Sequence, residues 1–263
     1  CIRDRDIYFS VYEKENPGKV ILEKKLPRVA LKQGTNVVTM ELHCPEARIW
    51  DLDTPYLYVC GVDVKSGKKL SDRAVQTFGF RWFEPVGIGK DAMLRLNGRR
   101  VMLRTAISWG YWPATGLYAT PEMAEKQVSV AKSMGLNMLN FHRSIGSPVV
   151  LEKADELGLL YYEEPGAFHS AGHDPFIRAM VNTKLHRMIL RDRSHPSLVI
   201  YNLINNAVNY TGEDKQIFIK QKNSADCVRI EVSDTGEGIA PEKIKLILSL
   251  IHISEPTRLR CIS

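Results

Sequence analysis

The sequence lacks the features typical of disulfide-stabilised, zinc-binding or membrane-spanning proteins. Its five cysteines are odd in number, scattered and never spaced as CxxC, which argues against a disulfide framework or a zinc site. No apolar run approaches the ~20 residues of a transmembrane helix, so we expect no membrane partner. The net charge is +6, but no long run of Lys or Arg accompanies it, and we expect no nucleic-acid partner.

The sequence also lacks an N-terminal methionine and opens at Cys1, inside a stretch that already looks strand-rich. We expect the natural start to be missing, so the opening residues carry no information on localisation.

The sequence pattern of the first 85 residues is typical of a β-sandwich. Four short β-rich runs, separated by turn residues, occur at 7–12, 20–22, 37–40 and 57–62. Short strands at this spacing predict a β-sandwich over 1–85.

From about residue 86 strands alternate with helices, which predicts a parallel α/β sheet. Helix starts are indicated by Thr120-Pro121 and Ser147-Pro148, and helix ends by Gly135 and Gly158. The expected strands are 101–105, 137–141, 159–163 and 198–203, with a further helix at about 175–191. A partial barrel over 86–205 is the natural candidate.

The sequence pattern changes again after residue 205. The runs 216–221 and 227–233 alternate strictly between apolar and polar residues, which predicts an antiparallel pair of strands within 206–247. Residues 248–263 show no clear periodicity.

An ordered set of motifs resembles the family 2 glycoside hydrolases, such as β-galactosidases and β-glucuronidases. The motifs are WDLDTPYLY at 50–58, FGFR at 78–81, LNGRRV at 96–101, NMLNFHR at 137–143, ADELG at 154–158 and RDRSHPS at 191–197. The resemblance covers about 1–205. It implies an immunoglobulin-like β-sandwich followed by a truncated TIM (β/α)8 barrel, a β-linked carbohydrate as partner, and no cofactor.

The same resemblance implies retaining hydrolysis, which needs two carboxyl groups ~5–5.5 Å apart. In this family the acid/base Glu ends the fourth barrel strand, directly after an Asn. Asn205 matches that Asn and is expected to bind substrate, but Asn206 stands where the Glu should be. An amide cannot protonate a leaving group, and the nucleophilic Glu would follow a seventh strand that the sequence does not reach. We therefore expect a catalytically incomplete fragment with no catalytic residue intact.

Other candidate sugar contacts follow the expected barrel strands, because barrel sites lie at the C-terminal ends of strands. His142 and Arg143 follow the second strand, where the resemblance places sugar contacts; the alternative is a surface pair. Glu163 and Glu164 end the third strand, and Glu164 is the one we expect to bind substrate. They are a poor catalytic pair, because neighbours on a strand point to opposite faces.

Two further groups have both a functional and a structural interpretation. Trp109, Tyr111 and Trp112 follow the first strand and could stack on a sugar or pack under a loop. His195-Pro196 is better interpreted as a structural turn before the fourth strand.

The stretch from Asn202 resembles a second family, the ATP-binding domains of histidine kinases. NLINNAVNYTG at 202–212 is similar to the N-box helix, in which Asn206 would help to hold Mg²⁺ on ATP. DTGEGI at 234–239 is similar to the first glycine box, which would place Asp234, Gly236 and Gly238 at the nucleotide; the alternative is a glycine-rich turn. The second glycine box is missing, so ATP and Mg²⁺ would be cofactors only of a complete domain.

The two resemblances overlap at 201–205, which predicts a chimera produced by mistaken read assembly rather than a natural fusion of whole domains. The tail 248–263 resembles the translation of a transposase-based sequencing adapter and is excluded from the fold. Three functions remain: a fragment of a retaining glycoside hydrolase, an ATP-binding fragment of a sensor histidine kinase, or a carbohydrate-binding scaffold without catalysis. Weak sugar binding without turnover would distinguish the third from the first.

Overall fold

The computed structural model describes residues 3–40, 42–87, 92–112, 114–166, 175–201, 217–223 and 228–234. The chain divides into two compact units, of which the first ends at Arg81 and the second begins at Trp82. The strands are β1 Arg3–Glu13, β2 Val20–Leu31, β3 Tyr58–Ser66, β4 Lys69–Phe78, β5 Phe83–Val86, β6 Met93–Leu96, β7 Arg99–Val101, β8 Thr105–Ser108, β9 Met138–Phe141, β10 Leu160–Glu163, β11 Leu198–Tyr201, β12 Ile217–Asn223 and β13 Val228–Asp234. The helices are α1 Pro121–Ser133, α2 Pro148–Leu157 and α3 Pro175–Asp192.

The first unit is built on a four-stranded antiparallel sheet in the order β2-β1-β3-β4. Along β1, Ile7, Phe9 and Val11 are buried, and the residues between them are only partly so. This period of two gives the sheet one face on an apolar core, where Val11 packs with Tyr58 and Phe78.

The sequence placed some of these strands well and missed others. The expected run 37–40 is not a strand, because β-branched residues form a strand only where a neighbouring edge accepts their backbone hydrogen bonds. By contrast β4, which sequence analysis did not predict, is exposed at eight of its ten positions. Its hairpin with β3, which turns at Gly67 with φ 60°, makes it a strand despite its polar sequence.

The second unit opens with a three-stranded antiparallel sheet, β5-β6-β7. Asn97 and Gly98 join β6 to β7 and both have positive φ, 52° and 76°, as a two-residue type I′ hairpin turn requires. The prediction of a strand at 101–105 was therefore wrong. Val101 ends the β6–β7 hairpin, and the first parallel strand begins only at Thr105.

A four-stranded parallel sheet follows, in the order β11-β10-β9-β8. All four residues of β9 are buried, as expected for a strand covered on both faces. The apolar core between this sheet and its helices includes Val128 of α1, Leu151 of α2, and Phe141 and Tyr161 of the strands.

The predicted starts of α1 and α2 are confirmed, although of the two predicted N-caps Thr120 makes a side-chain capping hydrogen bond and Ser147 does not. The Thr120 side chain accepts a hydrogen bond from the Met123 N–H at 3.3 Å, and Pro121 stands in the first turn, where its missing N–H costs nothing. Gly158 ends α2 in the left-handed conformation, with φ 74°. Local sequence signals were sufficient here because capping involves only neighbouring residues.

The predicted antiparallel pair is confirmed as β12 and β13, with Ile219 opposite Val232. Within the described ranges, no helix is long and apolar enough to cross a membrane.

Candidate functional site

The C-terminal edge of the parallel sheet brings together side chains from three successive strands. Trp109 directly follows β8, His142 and Arg143 follow β9, and Glu164 follows β10. Because the strands are parallel, these four residues lie on one edge, as the sequence predicted for His142, Arg143 and Glu164.

Glu164 is the centre of this edge and is 7% exposed. One carboxylate oxygen accepts a hydrogen bond from Asn140 Nδ2 at 3.3 Å and lies 3.7 Å from His142 Nδ1. The other accepts the Arg143 backbone N–H at 3.2 Å. The carboxylate thus fixes the start of the loop after β9.

The neighbouring Tyr162 adds a donor to the same carboxylate. Burial, followed by the charge and hydrogen bond of Glu164, raises the pKa of Tyr162 to about 12. The phenol therefore keeps its proton at neutral pH.

Trp109 covers the outer side of the cluster and is 60% exposed. Its ring lies edge-on to His142, with centroids 4.7 Å apart and an interplanar angle of 84°. The Arg143 guanidinium carbon lies 5.9 Å from the Trp109 ring centroid, within cation–π range. Tyr111 is also exposed, whereas Trp112 packs against the apolar core.

Arg143 is held in the left-handed region, with φ 55°. For a residue with a Cβ this conformation costs about 1–2 kcal/mol. The hydrogen bond from its N–H to Glu164 supports the strained backbone, and strain of this kind clusters at functional sites.

Below this surface lies a second carboxyl that sequence reasoning did not assign, that of the fully buried Glu163. Its Oε1 accepts the Gly146 N–H at 2.6 Å and lies 3.5 Å from Arg191 Nη2. The same Arg191 nitrogen donates to the Gly146 carbonyl at 2.6 Å. Residues from β10, α3 and the loop after β9 are thus tied together at Gly146.

The position of Gly146 admits no side chain. A Cβ there would come 2.2 Å from Phe141 Cε2 and 2.9 Å from Glu163 Oε1. The glycine therefore allows the loop backbone to approach the buried carboxyl closely.

The protonation of Glu163 follows from its surroundings. Burial, and after it the nearby Asp192 carboxyl, raise the pKa of Glu163 to about 8, although the Gly146 N–H and Arg191 act in the opposite direction. The only sequence signals for this network were an acidic residue at a strand end and the RDR motif at 191–193.

His195 occupies a structural position, in agreement with the interpretation favoured from the sequence. Its Nδ1 lies 2.5 Å from Asp155 Oδ2, and the Ser197 N–H donates to the other Asp155 oxygen at 3.0 Å. Burial disfavours the charged imidazole, but the Asp155 carboxylate outweighs burial, and the pKa of His195 is raised. This pair connects α2 to the turn before β11.

The remaining candidates come from the stretch after residue 201. Asn205, Asn206, Gly236 and Gly238 lie outside the described residues, and Asp234 is the last residue of β13. Within the described residues no group of three His, Cys, Asp or Glu side chains is placed to hold a metal ion.

Comparison with known proteins shows similarity to glycoside hydrolases. Residues 3–81 match the family model described as "Glycosyl hydrolases family 2". A β-galactosidase of Thermoanaerobacterium thermosulfurigenes is 29% identical over 226 residues, which cover 83% of this chain and 29% of that protein. Residues 3–81 are therefore related to the family 2 glycoside hydrolases.

Further family 2 relatives give the same result. A putative β-glucuronidase of Formosa agariphila is 30% identical over 161 residues, covering 60% of this chain and 19% of that protein. The crystal structure of Parabacteroides merdae β-glucuronidase superposes with a TM-score of 0.63 and 26% identity, over 76% of this chain and 24% of that one. The chain thus spans less than a third of the length of these relatives.

A second family model, "Histidine kinase-, DNA gyrase B-, and HSP90-like ATPase", matches residues 191–258. The chain is therefore similar to two family models over separate ranges, 3–81 and 191–258. Where the second match begins, β11 still pairs in parallel with β10 of the four-stranded sheet, with Ile200 opposite Tyr162.

Proposed function

We propose that the described residues up to 201 are a piece of a retaining glycoside hydrolase for β-linked sugars. The observation that carries this proposal is the convergence of Glu164, His142, Arg143 and Trp109 on one edge of a parallel sheet in a chain related to family 2. The four parallel strands correspond, in this proposal, to the first half of a TIM barrel, whose sites lie at this edge. The antiparallel sheet of the first unit corresponds to an immunoglobulin-like β-sandwich domain.

The chemistry of the cluster suits a sugar. The Glu164 carboxylate is an acceptor for sugar hydroxyl groups, and His142 and Arg143 supply donors around it. The exposed Trp109 ring offers an apolar surface beside these polar groups, which is the usual composition of a small-molecule site. Asn205 is proposed as a further substrate contact by its match to the family motif.

Because the proposed piece is catalytically incomplete, we expect the chain itself to behave as the carbohydrate-binding scaffold without catalysis, with sugar binding but no turnover. Asn206 occupies the acid/base position, and an amide side chain cannot protonate the leaving oxygen. We expect Asn206→Glu alone not to restore hydrolysis, because a retaining enzyme needs a second carboxyl as its nucleophile.

The test is a titration of the 263-residue chain with methyl β-galactoside and methyl β-glucuronide, followed by NMR. We expect weak binding that His142→Ala and Glu164→Gln each reduce about tenfold, the effect of one lost charge-assisted hydrogen bond. His43→Ala, an exposed histidine of the first unit, is the matched control and should leave binding unchanged. Release of an aryl leaving group by the unaltered chain would contradict the loss of catalysis, and absence of binding would contradict the sugar site.

A second candidate function, ATP binding, is supported by the family match at 191–258 and by the β12–β13 pair. Asn206, Asp234, Gly236 and Gly238 would contact the nucleotide and Mg²⁺. We expect no measurable binding of a fluorescent ATP analogue with or without Mg²⁺, because groups from several elements must converge on a nucleotide. Binding that Asp234→Asn abolishes would instead make the chain a nucleotide-binding protein.

We further propose that the junction of the two resemblances at 201–205 arises from mistaken read assembly. The tail 248–263, in this proposal, is translated sequencing adapter. Amplification of the source DNA across codons 195–215 tests the join. Absence of a product, or a Glu codon at position 206, is expected; a product that spans the join unchanged would establish a genuine fusion.

A further inference from the structure

We infer that Glu163 is a positioning residue for the sugar site, acting by fixing the loop that follows β9. This inference rests on the proposed sugar-binding function. The structural basis of this positioning role is the buried hydrogen bond that the Gly146 N–H donates to the Glu163 carboxyl.

The loop begins with the two residues proposed to contact sugar, His142 and Arg143, and leads into α2 at Pro148. Glu164 fixes its first part through the Arg143 N–H. Glu163 fixes its far part through the Gly146 N–H, at 2.6 Å. Consecutive residues of one strand end thus hold both parts of the loop.

Arg191 completes the support from a third element. It donates to the Gly146 carbonyl at 2.6 Å and to both carboxylate oxygens of Asp192 at 2.7 Å. Both backbone groups of Gly146 are therefore engaged, one by β10 and the other by α3. A loop held in this way loses little further freedom when it binds a ligand.

The burial of Glu163 distinguishes this role from substrate contact. Its side chain is 0% exposed and lies beneath the loop, so it reaches the sugar only through the backbone that it holds. Burying a carboxyl is costly unless it makes specific contacts, and here Oε1 accepts the loop amide and lies 3.5 Å from Arg191 Nη2.

The experiment compares Glu163→Ala with Glu163→Gln in the full chain. Glutamine keeps an oxygen that can accept the Gly146 N–H, whereas alanine removes this contact. Glu125→Ala, which removes an exposed carboxylate on α1, is the matched control.

Two measurements are made on each variant: the hydrogen-exchange rate of the Gly146 amide and the affinity for methyl β-galactoside and methyl β-glucuronide. In Glu163→Ala we expect Gly146 exchange to rise at least tenfold and sugar affinity to fall about tenfold. Glu163→Gln should stay close to the unaltered chain in both, and Glu125→Ala should change neither.

The outcomes separate this inference from the proposed function. Unchanged Gly146 exchange in Glu163→Ala overturns the positioning role, and so does increased exchange with unchanged sugar affinity. Equal loss of both properties in Glu163→Gln also overturns it, since a positioning role predicts rescue by the variant that keeps the hydrogen bond. If the unaltered chain binds neither sugar, the proposed function fails and the positioning inference fails with it, whereas sugar binding that persists in Glu163→Ala refutes only the inference.

Discussion

The antiparallel sheet of the first unit and the parallel sheet of the second treat polar side chains in opposite ways. On the antiparallel sheet the polar side chains of β4 face solvent: Arg73 pairs with Asp63 at 2.6 Å and is 63% exposed, whereas Glu13 at the end of β1 is buried. On the parallel sheet Asn140 and Glu163 lie within buried strands. Surface ion pairs contribute little to stability, whereas buried polar groups need specific partners. The difference teaches that polar residues within buried strands are the better guide to a site.

The largest effect is expected from emptying the core of the parallel sheet. Phe141 is 1% exposed and stacks on Tyr161 with ring centroids 4.4 Å apart. Phe141→Ala should lower the free energy of unfolding by about 4 kcal/mol. Phe9→Ala removes the same atoms from the antiparallel sheet, where no such stacking partner is lost, and should lower the free energy of unfolding somewhat less. Both losses can be measured by urea unfolding, monitored through amide hydrogen exchange in each sheet.

The second prediction compares the same substitution at Gly146, in the loop packed on the parallel sheet, and at Gly61, within β3 of the antiparallel sheet. Gly146→Ala would bring a Cβ 2.2 Å from the Phe141 ring and should cost about 3 kcal/mol through overpacking. In Gly61→Ala the added Cβ meets the Ser10 Oγ at 2.9 Å, a side chain that can rotate away. Urea unfolding should therefore show a clearly smaller loss for Gly61→Ala, and equal losses would show that the two sheets are equally tight.

The third prediction concerns the buried pair of Asp155 and His195. A raised pKa in the folded state stabilises the protein fully below the unfolded histidine pKa of about 6.5, and this stabilisation is lost as the pH rises through the folded pKa. Asp155→Asn should therefore lower the free energy of unfolding by about 2 kcal/mol at pH 6 and by less at pH 9. Thermal unfolding across this range measures it, and a loss that does not depend on pH would mean that the histidine is neutral throughout.

The smallest effect is expected on the exposed face of the antiparallel sheet. Val75 is 62% exposed, and Val75→Ala should change the free energy of unfolding by no more than about 0.5 kcal/mol. A loss comparable to that of Phe141→Ala would show that this face is covered, and would remove the contrast between the two sheets.

Sequence reasoning succeeded where the determinants are local or where a motif carries the position. Thr120 and Gly158 mark helix boundaries through neighbouring residues alone, and His142, Arg143 and Glu164 follow from a motif combined with the rule for strand ends. The first parallel strand was misplaced because the β-rich run that includes Val101 belongs to a hairpin that turns at Asn97 and Gly98, a local turn signal that the prediction did not use.

The network at Gly146 could not be predicted for a similar reason. Glu163 lies 17 residues from its partner in sequence. Nothing in the local sequence Glu163-Glu164-Pro165 distinguishes the carboxyl of Glu163, which lies beneath the loop, from that of Glu164, which faces the site.

The contact between Arg191 and the Gly146 carbonyl spans 45 residues, and this separation has a consequence for the order of events during synthesis. On a growing chain, β9 and its loop leave the ribosome well before the end of α3. The loop can form its local turns early, but its final hold requires the closure of a long segment, which is slow and entropically costly. The residues proposed to meet a sugar would then be among the last of this sheet to reach their working geometry, because the loop that carries them is fully held only once α3 has been made.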